Sequence, residues 1–206
     1  MRFQTAHALR LLRLKEFLAG GWVGLPETIW GIRSRSEKFI EEDIDIMTTS
    51  FKQLWDVYPT EDRSQFFTNL GGGWPALISN EKYKNTCALR LSVALQRVGM
   101  NVPPELAAKD GNLRDGKGNF VIVKVTSAKA LLTKYFGDYN WGTSKQIGTN
   151  LDTGLLPAWT AIMLYTVLPP ADATGHVDLW NKNTCRVNCH ESFARDATSV
   201  ELWKLD

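Results

Sequence analysis

One cysteine stands apart from the other two in this chain of 206 residues. Cys87 lies in the segment Asn85-Thr-Cys-Ala-Leu-Arg-Leu-Ser92, where Asn85 or Thr86 can cap a helix that begins at the cysteine. The N–H groups and dipole of a helix N-terminus favour the thiolate, which is the nucleophilic form of cysteine. The segment therefore predicts a cysteine nucleophile, although an inert cysteine buried on an apolar helix would fit the same pattern.

A histidine far downstream can activate that cysteine. His176 follows Gly175 at the start of the alternating segment Gly175-His-Val-Asp-Leu-Trp180. In an extended strand residues i and i+2 face the same way, so His176 and Asp178 are predicted to share one face. A cysteine on a helix followed by a histidine on a strand is the chain order of papain-type enzymes, in which a third group orients the imidazole. Asn188, on the segment that returns from the histidine strand, is the candidate for this third group, and Asp178 is its competitor.

Two further cysteines, Cys185 and Cys189, lie just past the histidine segment. They can form a disulfide, remain as two thiols, or supply half of a metal site. Zinc commonly takes more closely spaced pairs with two more ligands, and Cys87 and His190 would have to complete such a site, which would occupy the nucleophile. The spacing favours a disulfide, and no metal or other cofactor is expected.

Charge and hydropathy exclude several classes of partner. Lys and Arg number 24 against 22 Asp and Glu, a net charge of +2, which is too small to favour binding to nucleic acid or to an anionic membrane surface. No apolar stretch approaches the roughly 20 residues of a membrane helix. The N-terminal residues lack the apolar core and cleavage site of a secretory signal, so synthesis in the cytoplasm without a signal peptide is expected.

The chain is expected to divide into an extension, residues 1–46, and a functional domain, residues 47–206. The first part contains His7, a leucine-rich stretch over residues 9–17 that can form one short amphipathic helix, two adjacent glycines and a charged run. Together they indicate a mobile or non-native extension. Met47 gives a plausible second start because periodic sequence follows it directly.

The elements that must position the candidate residues follow from periodicity and from turn signals. Apolar spacing predicts helices over residues 51–55, 87–98 and 127–136, and strands over residues 120–125, 161–167, 176–180 and 199–204. Helices come first and strands follow later, which favours an α+β fold with an antiparallel sheet.

The cysteine segment and the Thr174-Gly-His-Val-Asp-Leu-Trp180 segment, followed by Cys185, together resemble the fourth family of type VI secretion amidase effectors. These proteins are papain-like peptidases of the NlpC kind. The resemblance runs from about Ser50 to the C-terminus. It implies a fold in which the catalytic cysteine at a helix start packs on an antiparallel sheet that carries the histidine.

The resemblance also implies a function and a set of catalytic residues. The protein would be injected into the periplasm of a rival bacterium and would cut the peptidoglycan stem peptide between γ-D-glutamate and meso-diaminopimelate. Cys87 would be the nucleophile and His176 the general base. The family carries an acidic third member in the loop after the histidine strand, where this sequence has Asn188, whose side chain can accept the imidazole N–H.

The same resemblance implies a disulfide-clipped loop at Cys185 and Cys189 and two kinds of protein partner, the type VI secretion machinery and a cognate immunity protein. The Gly71–Trp74 loop and Trp141 are candidate walls of the substrate groove. The alternative functions are a housekeeping or phage-type cell-wall endopeptidase with the same chemistry, and a non-catalytic module that binds wall peptides.

Overall fold

The computed structural model describes residues 49–144, 150, 152–167, 174–189 and 196–206. The expected extension, residues 1–46, lies outside the described residues, as do Met47, His7 and His190. Within the part of the chain that is described, no helix combines the length and apolar character needed to cross a bilayer.

Helices dominate the first half of the described chain. The five α-helices are α1 (Phe51–Val57), α2 (Arg63–Leu70), α3 (Cys87–Arg97), α4 (Pro104–Lys109) and α5 (Val125–Phe136). Three 3₁₀ turns lie at Trp74–Leu77, Glu81–Tyr83 and Thr153–Leu155.

The second half of the described chain forms an antiparallel sheet. Its strands are β1 (Trp141–Ser144), β2 (Thr160–Val167), β3 (Gly175–Asn181), β4 (Thr184–Cys185) and β5 (Ala197–Lys204). They are ordered β1-β5-β2-β3-β4, and every neighbouring pair is antiparallel. The expected α+β architecture is therefore confirmed.

The main core holds α3 against the strand that carries the histidine. Leu91 and Leu95 of α3 are buried in the same cluster as Val177 and Leu179 of β3. These four residues follow the helical and strand periods predicted from the sequence, since apolar side chains repeat every three to four residues in a helix and every two in a strand. Packing of the two elements fixes the N-terminal end of α3 beside β3.

The opposite face of the sheet buries a second apolar cluster. Met163, Tyr165 and Trp180 belong to it, and the half-buried Cys185 and Cys189 pack against it. The strand register places Tyr165 opposite His176 and Met163 opposite Asp178. The loop that follows β3 is thus anchored over the face that bears His176 and Asp178.

The predicted strand over residues 120–125 is wrong. Phe120 forms only an isolated bridge with Arg114, and Val125 already begins α5. The buried carboxylate of Asp110 accepts the main-chain N–H groups of Val123 and Lys124 at 2.6 and 3.0 Å. Because these donors are bound to a side chain, they are not available to a strand ladder, and α5 begins here instead.

Candidate active site

Cys87 is the first residue of α3, as predicted, and its side chain is only 9% exposed. Thr86 is the N-cap, but its side chain makes no capping hydrogen bond to the helix. Burial raises the pKa of the Cys87 thiol, while hydrogen bonding and charge from His176 and the N–H groups of Val177 and Ala88 lower it. The net pKa lies below the ordinary thiol value, so the site favours the thiolate.

His176 lies near the start of β3 and is buried beside the thiol. Burial lowers the pKa of the imidazole, but the nearby Asp178 carboxylate and Cys87 sulfur, with their negative charges, raise it to about 9. The pKa of Cys87 and that of His176 therefore move in opposite directions from their ordinary values. These two shifts favour the thiolate and the imidazolium, which together are the activated form of a cysteine nucleophile.

Asp178 shares the face of β3 with His176, as the strand period predicts. Its carboxylate is 1% exposed, and Oδ2 lies 3.9 Å from Nε2 of His176. Oδ1 accepts the N–H of Leu179 at 2.7 Å, while Oδ2 accepts those of Val187 and Asn188 at 2.9 and 3.0 Å. These three hydrogen bonds hold the carboxylate against the loop that follows β3.

Asn188 meets the site through its main chain. Its N–H donates to Asp178, and its side chain is exposed. The structure thus brings Cys87, His176 and Asp178 together and ties Asn188 to Asp178. The sequence alone does not show that the loop N–H groups donate to the Asp178 carboxylate, because these hydrogen bonds depend on how the loop folds back onto β3.

The loop is closed by a disulfide between Cys185 and Cys189, whose Cα atoms are 5.3 Å apart, so the expected pairing is confirmed. Arg186, inside the loop, donates its N–H to the carbonyl of Leu179. The loop is therefore fixed to β3 by this bond to Leu179 and by the main-chain N–H groups of Val187 and Asn188, which donate to Asp178.

Gly175 allows β3 to approach β2 beside the histidine. A Cβ atom on Gly175 would lie 2.2 Å from the carbonyl oxygen of Tyr165, which no side chain can occupy. In the sequence, Gly175 is only the residue that precedes His176 at the start of the alternating segment. Its close approach to the neighbouring strand can be seen only in the sheet.

Arg90 is a buried residue near the site that sequence reasoning missed. Its guanidinium donates to Oγ1 of Thr86 and to the carbonyls of Pro59 and Glu61, at 2.9, 3.0 and 2.7 Å. These bonds connect the residue before Cys87 to the segment after α1. An arginine at the third position after a candidate nucleophile, within an otherwise apolar helical stretch, was the signal that could have revealed it.

Trp74 does not line a groove. Its ring is 2% exposed, packs at 5.2 Å from the ring of Phe67, and donates Nε1–H to the carbonyl of Arg114. The predicted role of Trp74 as a groove wall is wrong, because the ring fills a core cluster instead. Trp141 is half-buried on β1 against the second apolar cluster, and its contact with substrate stays a prediction.

The described residues contain no group of three or more histidine, cysteine or acidic side chains arranged to hold a metal ion. The described site instead combines a buried thiol, an imidazole and a carboxylate, which are the groups of a cysteine peptidase or amidase.

Comparison with known proteins identifies the family. The family model for type VI secretion system amidase effector protein 4 (Tae4) matches residues 83–203, which include Cys87, His176 and Asp178. The chain belongs to the Tae4 family. Its members are amidase effectors of the type VI secretion system, and this protein is accordingly a peptidoglycan-targeting amidase that is delivered into target cells.

Solved structures of Tae4 effectors share the fold. The Enterobacter cloacae effector Tae4 is 25% identical, with a TM-score of 0.65, over 76% of this chain and 96% of that one. The Enterobacter cloacae Tae4–Tai4 effector–immunity complex gives 24% identity, a TM-score of 0.65, and coverage of 76% and 98%. The Salmonella typhimurium Tae4–Tai4 complex is 21% identical, with a TM-score of 0.64, over 76% of this chain and 98% of that one. A comparison with curated protein sequences gave no match.

Proposed function

We propose that this Tae4 protein hydrolyses the amide between γ-D-glutamate and meso-diaminopimelate in the peptidoglycan stem peptide, with Cys87 as nucleophile and His176 as general acid and base. One observation carries the assignment. The buried thiol at the start of α3 meets the imidazole of β3, and the pKa of Cys87 is lowered while that of His176 is raised. A purely structural cysteine has no need of such a partner.

The first half of the reaction forms a thioester. The Cys87 thiolate attacks the amide carbonyl carbon, and negative charge develops on the carbonyl oxygen. The first turn of α3 supplies main-chain N–H groups beside the sulfur, and such donors stabilise an oxyanion. His176 then gives its proton to the leaving nitrogen, the C–N bond breaks, and the amine departs.

The second half consumes water. The neutral imidazole of His176 takes a proton from a water molecule, whose oxygen attacks the thioester carbon. The C–S bond breaks, the product leaves as a carboxylic acid that loses its proton to solvent, and the site returns to thiolate and imidazolium. Each proton taken from water or given to the amine thus passes through one side chain, which is held beside the sulfur.

We assign the orientation of the imidazole to Asp178. Its carboxylate oxygen lies nearest to Nε2, so Nδ1 is the nitrogen that can serve Cys87. Asn188 supports this arrangement through its main-chain N–H, which holds the carboxylate in place. A direct role for the Asn188 side chain stays a prediction, and Asn188→Ala tests it because that variant keeps the main-chain N–H.

The family and the disulfide support a proposal for the site of action and for the protein partner. Stem peptides of this kind are exposed in the periplasm, and the disulfide at Cys185 and Cys189 suits an oxidising compartment. The related effectors of Enterobacter cloacae and Salmonella typhimurium are bound to immunity proteins in their solved complexes. We accordingly propose action in the periplasm of the target cell and a cognate immunity protein made by the producing cell.

The deciding experiment is digestion of purified muropeptides, with fragments analysed by mass spectrometry. Wild type is expected to release products cut after γ-D-glutamate, while Cys87→Ala and His176→Ala release none. Cleavage at another bond would correct the substrate assignment. Binding of muropeptides without cleavage would instead favour a non-catalytic module.

Reactivity of the thiol gives a test that needs no substrate. At neutral pH, iodoacetamide should alkylate Cys87 faster in the folded protein than in the protein unfolded by denaturant. Because burial slows alkylation in the folded state, the folded wild type is also compared with the folded His176→Ala variant. A folded protein that reacts no faster than the His176→Ala variant would contradict activation of the thiol.

A further inference from the structure

Tyr165 contacts the catalytic histidine from the neighbouring strand. The register of β2 and β3 places Tyr165 directly opposite His176. The two ring centroids are 5.3 Å apart with an interplanar angle of 37°, and both side chains are buried. The phenol ring therefore packs against the imidazole, while Asp178 lies near its Nε2.

The other end of the same side chain reaches the disulfide loop. The Tyr165 hydroxyl donates to the main-chain carbonyl of Cys189 at 3.4 Å. Cys189 is the residue that closes the loop with Cys185. One buried tyrosine thus joins the face of the imidazole to the closed end of the loop.

The loop consequently supports the histidine along two routes. The N–H groups of Val187 and Asn188 hold Asp178, and the carbonyl of Cys189 holds Tyr165. Burial, together with the negative charges at Cys87, Asp196 and Asp178, raises the pKa of the Tyr165 phenol, so its hydroxyl remains a donor at every working pH.

We propose that Tyr165 is a positioning residue for His176, which transmits the constraint of the Cys185–Cys189 loop to the imidazole. The inference rests on the proposed Cys87–His176 mechanism. Catalysis requires the imidazole to serve both the sulfur and the leaving nitrogen from one orientation, and rotation of the ring away from that orientation costs rate. Tyr165 restricts that rotation from the side that Asp178 does not cover.

Tyr165→Phe tests the hydroxyl, since it keeps the ring and removes only the bond to Cys189. Tyr135→Phe is the matched control, because its hydroxyl also donates to a main-chain carbonyl, that of Asn101, from helix α5. Loss of one such hydrogen bond changes a rate or equilibrium constant by roughly fivefold. Tyr165→Phe is expected to lower kcat for muropeptide cleavage by about that factor with little change in KM, while Tyr135→Phe leaves kcat unchanged.

A double-mutant cycle tests the route through the loop. If Tyr165 acts through the disulfide loop, Tyr165→Phe should have little further effect in the Cys185→Ser/Cys189→Ser background. The pH dependence of Cys87 alkylation should change with Tyr165→Phe and not with Tyr135→Phe, because a merely structural tyrosine would not alter it.

Three results would overturn the proposal: equal kcat for the two tyrosine variants, additive effects in the cycle, or melting of Tyr165→Phe below the assay temperature when Tyr135→Phe stays folded. Failure of the proposed function would look different. In that case Cys87→Ala would retain cleavage, or wild type would show none, whatever the tyrosine variants did.

Discussion

Asp178→Asn removes the charge that faces His176 while it nearly preserves the shape of the side chain. The carboxylate oxygen lies 3.9 Å from Nε2, and both groups are buried. With an effective dielectric constant of about 20, two unit charges at this distance attract by about 4 kcal/mol. Since about 1.4 kcal/mol corresponds to a factor of ten, full loss of this attraction lowers kcat/KM by roughly 10³-fold.

The same substitution should change the pH profile. Without the carboxylate, the pKa of His176 falls from about 9 toward its ordinary value near 6.5. The alkaline limb of kcat/KM should move down in pH accordingly, because the imidazolium that protonates the leaving amine is lost earlier. The assay is muropeptide cleavage followed by liquid chromatography across the pH range.

A matched control separates charge at the site from loss of a buried carboxylate in general. Asp110 is also buried, and its Oδ2 likewise accepts two main-chain N–H groups, those of Val123 and Lys124. Both Asp178→Asn and Asp110→Asn place an amide NH₂ where a hydrogen bond was accepted, which costs about 1–3 kcal/mol of stability.

Only Asp178→Asn should lose activity at a temperature where both variants are folded. Equal activity of the two variants, or an unshifted alkaline limb in Asp178→Asn, would refute the assignment of Asp178. If Asn188→Ala lost the activity instead, the third role would pass to the Asn188 side chain.

Three further outcomes are expected. Gly175→Ala should lower cleavage more than tenfold and reduce the melting temperature, because its Cβ would collide with the Tyr165 carbonyl. Gly73→Ala, with open space around it, should leave the melting temperature unchanged. Cys185→Ser/Cys189→Ser should lose about 2 kcal/mol of unfolding free energy, the chain-entropy value for so short a loop, and reductant should then have no further effect on the melting temperature. The pKa of His176 in the folded protein, about 9, lies above its ordinary value of 6.5. The stabilising contribution of the imidazolium is therefore complete below pH 6.5 and is lost as pH rises through 9. Over that pH range the melting temperature of wild type should fall more than that of His176→Ala.

The sequence predicted the parts of the site that depend on local geometry. The residue types of Asn85 and Thr86 predicted a helix start at Cys87, and α3 does begin there, although the Thr86 side chain makes no capping hydrogen bond. The two-residue period of a strand placed His176 and Asp178 on one face. The spacing of Cys185 and Cys189 favoured the disulfide that the structure contains. Each inference needed only residues close together in the chain.

Predictions failed where a distant group competed with local preference. Residues 120–125 have strand composition, yet the Asp110 carboxylate takes two of their N–H donors, and Val125 starts a helix. Trp74 follows a glycine run typical of a ligand loop, yet its ring is held in the core by Phe67. Neither partner is marked by its position in the sequence.

The sequence by itself determined which residue types could carry out the chemistry: a thiol at a helix start, an imidazole on a strand, and a short disulfide loop behind it. Only the tertiary structure decided how they act together. The register of β2 and β3 set Tyr165 against His176, and the return of the loop set its N–H groups on Asp178. The physical reason is that hydrogen bonds and buried charges act over a few ångströms of space, whatever the separation along the chain, so the orientation of the imidazole is fixed by the folded sheet and its loop.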